Sequence, residues 1–206
     1  EITTRLVGSE MCIRDRVSPC DGKVTVSRIG SDSRFYIKDT LYTLERLLRN
    51  KKLAERYLGG YAVILRLTVD DYHHYCYVAD GEKSPDVKIP GVFHTVNPAA
   101  NDVCQIYHEN TREYCLLKTE QFGTITMMEV GAMMVGKITN LQPGACEVKK
   151  GEEKGYFEFG GSTIVLLLQH GKVRMDSDLI ENSENGYETI VRMGERIGKC
   201  KLPKRA

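Results

Sequence analysis

The stretch KKGEEKGYFEFGGSTIVLLL, residues 149–168, decides the fold. Its first half is charged and contains glycine, which predicts a hairpin, and Gly160-Gly161-Ser162-Thr163 then leads into an uninterrupted aliphatic run. A short aliphatic run bounded by a glycine turn is typical of a strand buried on both faces. We therefore expect a central β-strand that begins directly after a glycine-rich turn.

Further segments rich in β-branched or aromatic residues occur along the chain, separated by Gly, Pro, Asn or Asp. They are YAVILRLTV at 61–69, VKIPGVFHTV at 87–96, ENTREYCLLKTE at 109–120, GTITMMEVGAMMVGKI at 123–138 and CEVKKGEEKGYFEFG at 146–160. Near the N-terminus, VSPCDGKVTVSRIG at 17–30 alternates apolar and polar residues around Asp21-Gly22, which predicts a β-hairpin.

The only convincing helical pattern lies at residues 39–58, where leucines recur among charged residues before Gly59-Gly60. We expect it to be broken in two. The polar tail contains TIVRMGERIG, whose glycines favour turns over a long helix. The sequence thus predicts a mainly-β α+β fold, a compact barrel or sandwich with a short helical hairpin against one side.

The composition is that of an ordinary folded protein, with 41% hydrophobic and 28% charged residues. Lys and Arg number 29 against 28 Asp and Glu, which gives a formal net charge of +1. This balance lacks the basic field of most nucleic-acid-binding proteins, so we expect no nucleic-acid partner. The aliphatic runs are far shorter than the roughly 20 residues that span a bilayer, so no transmembrane helix is expected.

The chain has seven cysteines, without a Cys-x-x-Cys pair or a Cys/His cluster at zinc spacing. This usage predicts reduced thiols in a cytosolic compartment and no metal site. The stretch VGSEMCIRDR at 7–16 resembles translated adaptor sequence, so we expect residues 1–16 to be non-native or disordered. Residues 17–206 are expected to form one domain.

Several segments together resemble, in the correct order, motifs of the phosphatidylserine decarboxylase family. They are SPCDGKV at 18–24, LTVDDYHHYCYVADG at 67–81, PGVFHTVNPAA at 90–100, Asn110-Thr111-Arg112, MEVGAMMVGKI at 128–138 and KKGEEKGYFEFGGST at 149–163. The resemblance extends from about residue 17 to residue 173, and it identifies residues 17–206 as a catalytic domain of this family.

The resemblance implies a pyruvoyl-dependent enzyme made from a proenzyme that cuts itself between Gly161 and Ser162. The products are a β chain that ends at residue 161 and an α chain that starts at residue 162. Ser162 attacks the Gly161 carbonyl, and glycine has no side chain to block that approach. Elimination from the resulting ester and hydrolysis leave a pyruvoyl group. The implied reaction converts phosphatidylserine to phosphatidylethanolamine through a Schiff base to this group.

The same motifs supply a base for Ser162. The resemblance places it on His73, with the carboxylates of Asp21 and Asp71 orienting the imidazole as in a catalytic triad. Taken alone, Asp21 before a glycine is a turn-forming residue, and His73 is an ordinary half-buried strand residue. Only the joint family match favours the functional interpretation.

One position departs from the family. Many members have a second histidine where this chain has Cys76, so we keep Cys76 as a residue lining the substrate pocket. The pocket is also expected to include His94, near the headgroup, and Arg112, whose guanidinium suits the phosphodiester. The alternatives are that His94 is a polar strand residue and that Arg112 serves the structure.

Two other functions stay open at this point. One is a pyruvoyl-dependent decarboxylase of a soluble amino acid, and the other is a non-enzymatic β-barrel carrier or interaction domain resembling lipoyl-type modules. The resemblance also implies a peripheral protein on the cytoplasmic side of the cell membrane, held at the membrane surface by its lipid substrate. A homodimer fits the family.

Overall fold

Strands dominate the computed structural model, which describes residues 15–38, 40–93, 108–131, 137–158 and 162–201. The strands are β1 (Asp15–Val17), β2 (Gly22–Arg28), β3 (Arg34–Ile37), β4 (Thr40–Thr43), β5 (Tyr61–Leu67), β6 (His74–Cys76), β7 (Gly81–Lys83), β8 (Val87–Ile89), β9 (Val92–Phe93), β10 (His108–Glu109), β11 (Arg112–Thr119), β12 (Gly123–Val130), β13 (Lys137–Asn140), β14 (Cys146–Val148), β15 (Glu153–Glu158), β16 (Ser162–Leu168), β17 (Val173–Met175), β18 (Thr189–Val191) and β19 (Arg196–Cys200). The helices are α1 (Leu44–Leu48), α2 (Lys51–Glu55) and α3 (Ser177–Glu184).

Strand β16 lies in the middle of a nine-stranded sheet with the order β14-β7-β11-β12-β16-β5-β2-β18, in which β8 also pairs with β11. Every residue of β16 is buried, because the strand has a paired neighbour on each side and a core on each face. Ile164 and Leu166 pack into one core, and Val165 and Leu167 pack into the other. The buried strand predicted from the aliphatic run is confirmed.

A three-stranded sheet, β13-β15-β6, contributes Tyr75 and Phe157 to the core that also contains Ile164 and Leu166. Helices α1 and α2 supply Leu47 and other side chains to the core on the opposite face. The mainly-β fold with a helical pair on one side is therefore confirmed. Among the described strands the nine-stranded sheet is open, since its outermost members β14 and β18 do not pair with each other.

The predicted helical segment is broken in two, as expected, but it begins later. Residues 40–43 form β4, and α1 starts after Thr43, whose side chain accepts a hydrogen bond from the Arg46 N–H. The helix ends at Arg49, which has a left-handed backbone with φ of 47°. Asn50 then caps α2 by accepting from the Leu53 N–H at 3.0 Å. A left-handed residue followed by a new cap interrupts the helix.

Two predicted hairpins are wrong. Strand β1 pairs with β19, whereas β2 pairs with β5 and β18, so the chain around Asp21 joins two different sheets. Likewise β14 pairs with β7, while β15 pairs with β13 and β6. Turn residues indicate that the chain changes direction, but strand pairing depends on which faces must be buried.

The ends of the chain also differ from the expectation. Helix α3 was not predicted, and it joins the core through Leu179. The TIVRMGERIG stretch contains β18 and part of β19, separated by a turn at Gly194. Strand β1 starts at Asp15, which pairs with Lys199. The sheet therefore extends two residues before the domain boundary expected at Val17.

Candidate active site

Ser162 is fully buried at the first position of β16. It lies opposite Leu67, the last residue of β5, and Leu67 packs in the same core as Ile164. Because residues that face each other across an antiparallel pair, and residues two apart on one strand, point to the same side, Ser162 faces that core. This is the core to which the β13-β15-β6 sheet contributes. Gly161 lies outside the described residues.

The turn after Leu67 carries Asp71 and His73. The Asp71 carboxylate accepts hydrogen bonds from the Thr68 backbone N–H at 2.6 Å and from the Thr68 hydroxyl at 2.9 Å. His73 Nδ1 lies 2.7 Å from the backbone carbonyl oxygen of Asp71. The expectation that the Asp71 carboxylate orients the imidazole is therefore corrected. The carboxylate closes the turn, and the carbonyl of the same residue orients the ring.

The backbone of His73 is tied to β15, since its carbonyl oxygen accepts from the Phe157 N–H at 3.1 Å. Its Nε2 atom is buried and has no hydrogen-bond partner among the described residues. With Nδ1 donating to a carbonyl, Nε2 of a neutral imidazole is the acceptor and can take a proton. The geometry thus leaves Nε2 as the ring nitrogen that can accept a proton.

Asp21 lies beside the same region, in the segment before β2. Its Oδ1 accepts from the Met193 N–H at 2.8 Å. The next residue, Gly22, has φ of 149°, and a Cβ there would lie 2.8 Å from the Arg66 carbonyl oxygen. Only glycine fits so close to the end of β5. Gly22 is therefore required by the close approach of β2 to β5.

Cys20 lies where the segments that carry Asp21, Asp71 and Cys76 approach one another. Burial, followed by the nearby Cys76, Asp21 and Asp71 groups, raises the pKa of the Cys20 thiol. The structure thus gathers the Asp21 turn, the Asp71 turn and β6 around one buried thiol. Ser162 is connected to this region through its register partner Leu67, which lies four residues before Asp71 in the chain.

Cys76 is fully buried, and it packs with Met193 and Tyr72. Its backbone N–H donates to the Pro19 carbonyl at 2.9 Å. Burial raises the pKa of the Cys76 thiol to about 12, so it stays protonated at neutral pH. Cys76 lies close to the segment that carries Asp21, as an uncharged group, and its place in a substrate pocket stays a prediction.

The expectation that Arg112 binds the substrate phosphodiester is corrected. The guanidinium is fully buried, and all five of its N–H groups have partners. The acceptors are the Leu47, Asn110 and Arg46 carbonyl oxygens, the Tyr42 hydroxyl and the Glu109 carboxylate. No donor is left for a phosphodiester, so the structural alternative for Arg112 holds. His94, the other pocket candidate, lies outside the described residues.

The sequence analysis did not predict a cluster around His74 on β6. The His74 ring stacks on Tyr72 at 4.6 Å and on Tyr156 at 5.2 Å between centroids, and its Nδ1 pairs with the Glu153 carboxylate. Tyr156 and Glu153 lie far from His74 along the chain, so no local pattern could have indicated the contact. Among the described residues, no group of three or more His, Cys, Asp or Glu side chains is arranged to hold a metal ion.

The fold and the site together define a mainly-β domain with a buried serine at the start of its central strand. A histidine follows the turn after the neighbouring strand, β5. The family profile described as phosphatidylserine decarboxylase matches residues 5–199, and the chain belongs to this family. The resemblance inferred from the motifs is confirmed.

Relatives carry the same name. The chain is 47% identical over 183 residues to phosphatidylserine decarboxylase proenzyme 2 of Clostridium acetobutylicum, covering 89% of this chain and 62% of that protein. It is 45% identical over 187 residues to the phosphatidylserine decarboxylase proenzyme of Fusobacterium nucleatum subsp. nucleatum, covering 90% of this chain and 62% of that protein. The chain thus spans 62% of the length of these relatives.

Proposed function

We propose that this chain is the self-processing part of a phosphatidylserine decarboxylase. The observation that carries the proposal is the position of Ser162, buried opposite Leu67 at the end of β5, from which the turn leads directly to His73. Family membership and relatives named as proenzymes support a chain that is made in a precursor form.

The cleavage chemistry uses the residues of the chain itself. His73 Nε2 takes the hydroxyl proton as Ser162 Oγ attacks the Gly161 carbonyl carbon, and the peptide C–N bond gives way to an ester. Removal of the Ser162 α-proton then expels the upstream chain as a carboxylate, which leaves dehydroalanine at position 162. Water hydrolyses its imine tautomer to a ketone, with loss of ammonia.

The residues present fit a pyruvoyl group at position 162. Ser162 is followed by a strand paired on both sides, so the new N-terminus is held between β5 and β12. The surrounding core excludes water, which strengthens electrostatic interactions at the reaction centre. A pyruvoyl ketone supplies an electron sink for the substrate amine when carbon dioxide leaves. His73, on the turn that follows the Ser162 partner Leu67, is the proposed group for moving protons there.

Phosphatidylserine is the proposed substrate, and the proposed product is phosphatidylethanolamine. We also propose a peripheral protein at the membrane surface, where its lipid substrate lies, on the cytoplasmic side of the cell membrane, and a homodimeric assembly. Within the described residues, no helix is long and apolar enough to span a bilayer. The proposal includes attachment through surface contacts with lipid.

The first experiment is the intact mass of the purified chain. We expect two fragments, one that ends at Gly161 and one that starts with a blocked residue at position 162. Ser162→Ala should stay whole, because alanine has no nucleophilic oxygen. A single uncut mass for the unaltered chain would favour the carrier interpretation instead.

The second experiment separates the substrates. Borohydride added with phosphatidylserine vesicles should attach the lipid covalently to the fragment that starts at residue 162, as detected by mass. Free serine serves as the comparison. Attachment of serine but not of the lipid would support a decarboxylase of a soluble amino acid, and attachment of neither would contradict the pyruvoyl group.

A further inference from the structure

The proposed cleavage site lies where the chain passes from one sheet to another. Strand β15 belongs to the sheet β13-β15-β6, and β16 is central in the nine-stranded sheet. Residues 159–161 join them. The approach of Ser162 Oγ to the Gly161 carbonyl therefore depends on how β15 is held relative to the strands around β16.

A β-bulge in β15 directs Lys154 inward. In the register with β6, Glu153 faces Cys76 and Gly155 faces Tyr75, so Lys154 is the extra residue. Its side chain is fully buried. Gly155 allows this arrangement, because a Cβ there would lie 2.2 Å from the Thr139 carbonyl oxygen. Bulges commonly re-aim a side chain beside a functional site.

Lys154 joins β15 to the neighbour of β16. Its Nζ lies 2.8 Å from Glu129 Oε2 and 2.7 Å from Asn140 Oδ1. Glu129 is fully buried on β12, directly opposite Ile164, which is two residues after Ser162. A buried contact thus links the strand before the cleavage site to the strand beside Ser162.

The electrostatics of the Lys154–Glu129 pair indicate that it positions its two strands and adds little to stability. Burial raises the pKa of Glu129 to about 7, although Lys154 acts in the opposite direction. Burial, the largest single influence, lowers the pKa of Lys154, but Glu129, Cys115 and Asp86 together outweigh it and the net shift is upward. Removing two charges from water costs about as much as their attraction returns, so such a pair adds little to stability. It does fix one relative placement of its two strands.

We propose that Lys154 is a positioning residue for self-cleavage, which holds β15 on β12 so that the Gly161 carbonyl meets Ser162 Oγ. The inference rests on the proposed function. Once the bond is cut, the upstream strand no longer has to present a carbonyl to Ser162. Lys154 is therefore required for maturation and not for decarboxylation by the matured protein.

The test is the double variant Lys154→Met/Glu129→Gln, which removes both charges at similar volume. The buried Asp86 carboxylate, 4.0 Å from Lys154 Nζ, keeps its ion pair with Lys83 at 2.8 Å. We expect cleavage to slow by about 10- to 100-fold, since small misplacements of reacting groups cost this much. After full cleavage, kcat and KM for phosphatidylserine should equal those of the unaltered chain. The control is Arg196→Met/Asp176→Asn. It removes an ion pair in which Nε and Oδ2 are 3.0 Å apart and in which β15 takes no part, so this variant should cleave normally.

Circular dichroism and urea unfolding establish that each variant is folded. Lys154→Arg keeps the charge with a longer head group, and it serves as a second variant that should also cleave slowly. Normal cleavage in the folded double variant, or in folded Lys154→Arg, would overturn the inference while leaving the proposed function intact. An equal loss of cleavage and of kcat would also overturn it. Failure of the unaltered chain to cleave would contradict the proposed function and, with it, the role of Lys154.

Discussion

Ser162 and Leu67 lie directly opposite each other in the antiparallel register of β16 and β5. Leu67 is the last residue of β5, and the turn that follows carries Asp71 and His73. Two residues that are far apart in the chain are thereby brought to one end of a pair of buried strands. The pairing explains why Ser162 is buried at the first position of a central strand and not in an exposed loop.

His73 is expected to be the base for cleavage. Proton transfer by a positioned side chain contributes about 10²- to 10⁴-fold, so His73→Ala should remain mainly uncut over hours. Cys76→Ala should cleave nearly normally, because the Cys76 thiol is uncharged at neutral pH. A gel time course on the two folded variants measures both rates. Arrest in Cys76→Ala, or normal cleavage in His73→Ala, would reverse the assignment.

Asp71 is expected to act through the shape of its turn. Asp71→Asn keeps an oxygen that can accept from the Thr68 N–H, so it should cleave within a few-fold of the unaltered rate. Asp71→Ala removes that acceptor and frees the carbonyl that orients His73, so cleavage should slow by about 10-fold or more. Equal rates in the two variants would contradict this prediction. The comparison uses the same gel assay, with thermal unfolding as the control.

Arg112 is expected to determine stability and not substrate binding. Arg112→Met leaves the Glu109 carboxylate with fewer partners and several buried carbonyl groups unpaired. The loss should be about 3–5 kcal/mol in the free energy of unfolding, as for other broken buried ion pairs. Urea unfolding measures it. A stable Arg112→Met protein with a raised KM for phosphatidylserine would return Arg112 to the substrate pocket.

Glu109 should make the fold sensitive to acid. Burial alone would raise its pKa, but hydrogen bonds from Arg49, Arg46 and Arg112 outweigh burial and lower the pKa to about 2. A carboxylate whose pKa is lower in the folded protein stabilises it above the unfolded pKa of 4.5. That contribution is lost as the pH falls from about 4.5 towards 2, by up to about 1.4 kcal/mol for each pH unit.

The measurement is urea unfolding of the unaltered chain and Glu109→Gln at several pH values. Glu109→Gln should be the less stable protein at pH 7, and the difference should shrink as the pH falls below 4.5. A difference that does not change with pH would show that the Glu109 charge is not what stabilises the fold.

The sequence by itself determined the fold class, the central strand and the family. An aliphatic run such as 164–168 has one stable environment, the interior, so its burial follows from composition alone. The motif around Ser162 is likewise local, because the residue before an attacking serine must leave the carbonyl accessible.

Only the tertiary structure decided which groups meet. Whether Arg112 faces substrate or carbonyl oxygens depends on where α1 ends, and whether Asp71 orients His73 by its carboxylate or its carbonyl depends on the geometry of one turn. The contact of Lys154 with Glu129 requires a bulge and two sheets packed face to face. Hydrogen bonds and ion pairs act over a few ångströms in space, and separation along the chain does not specify that distance.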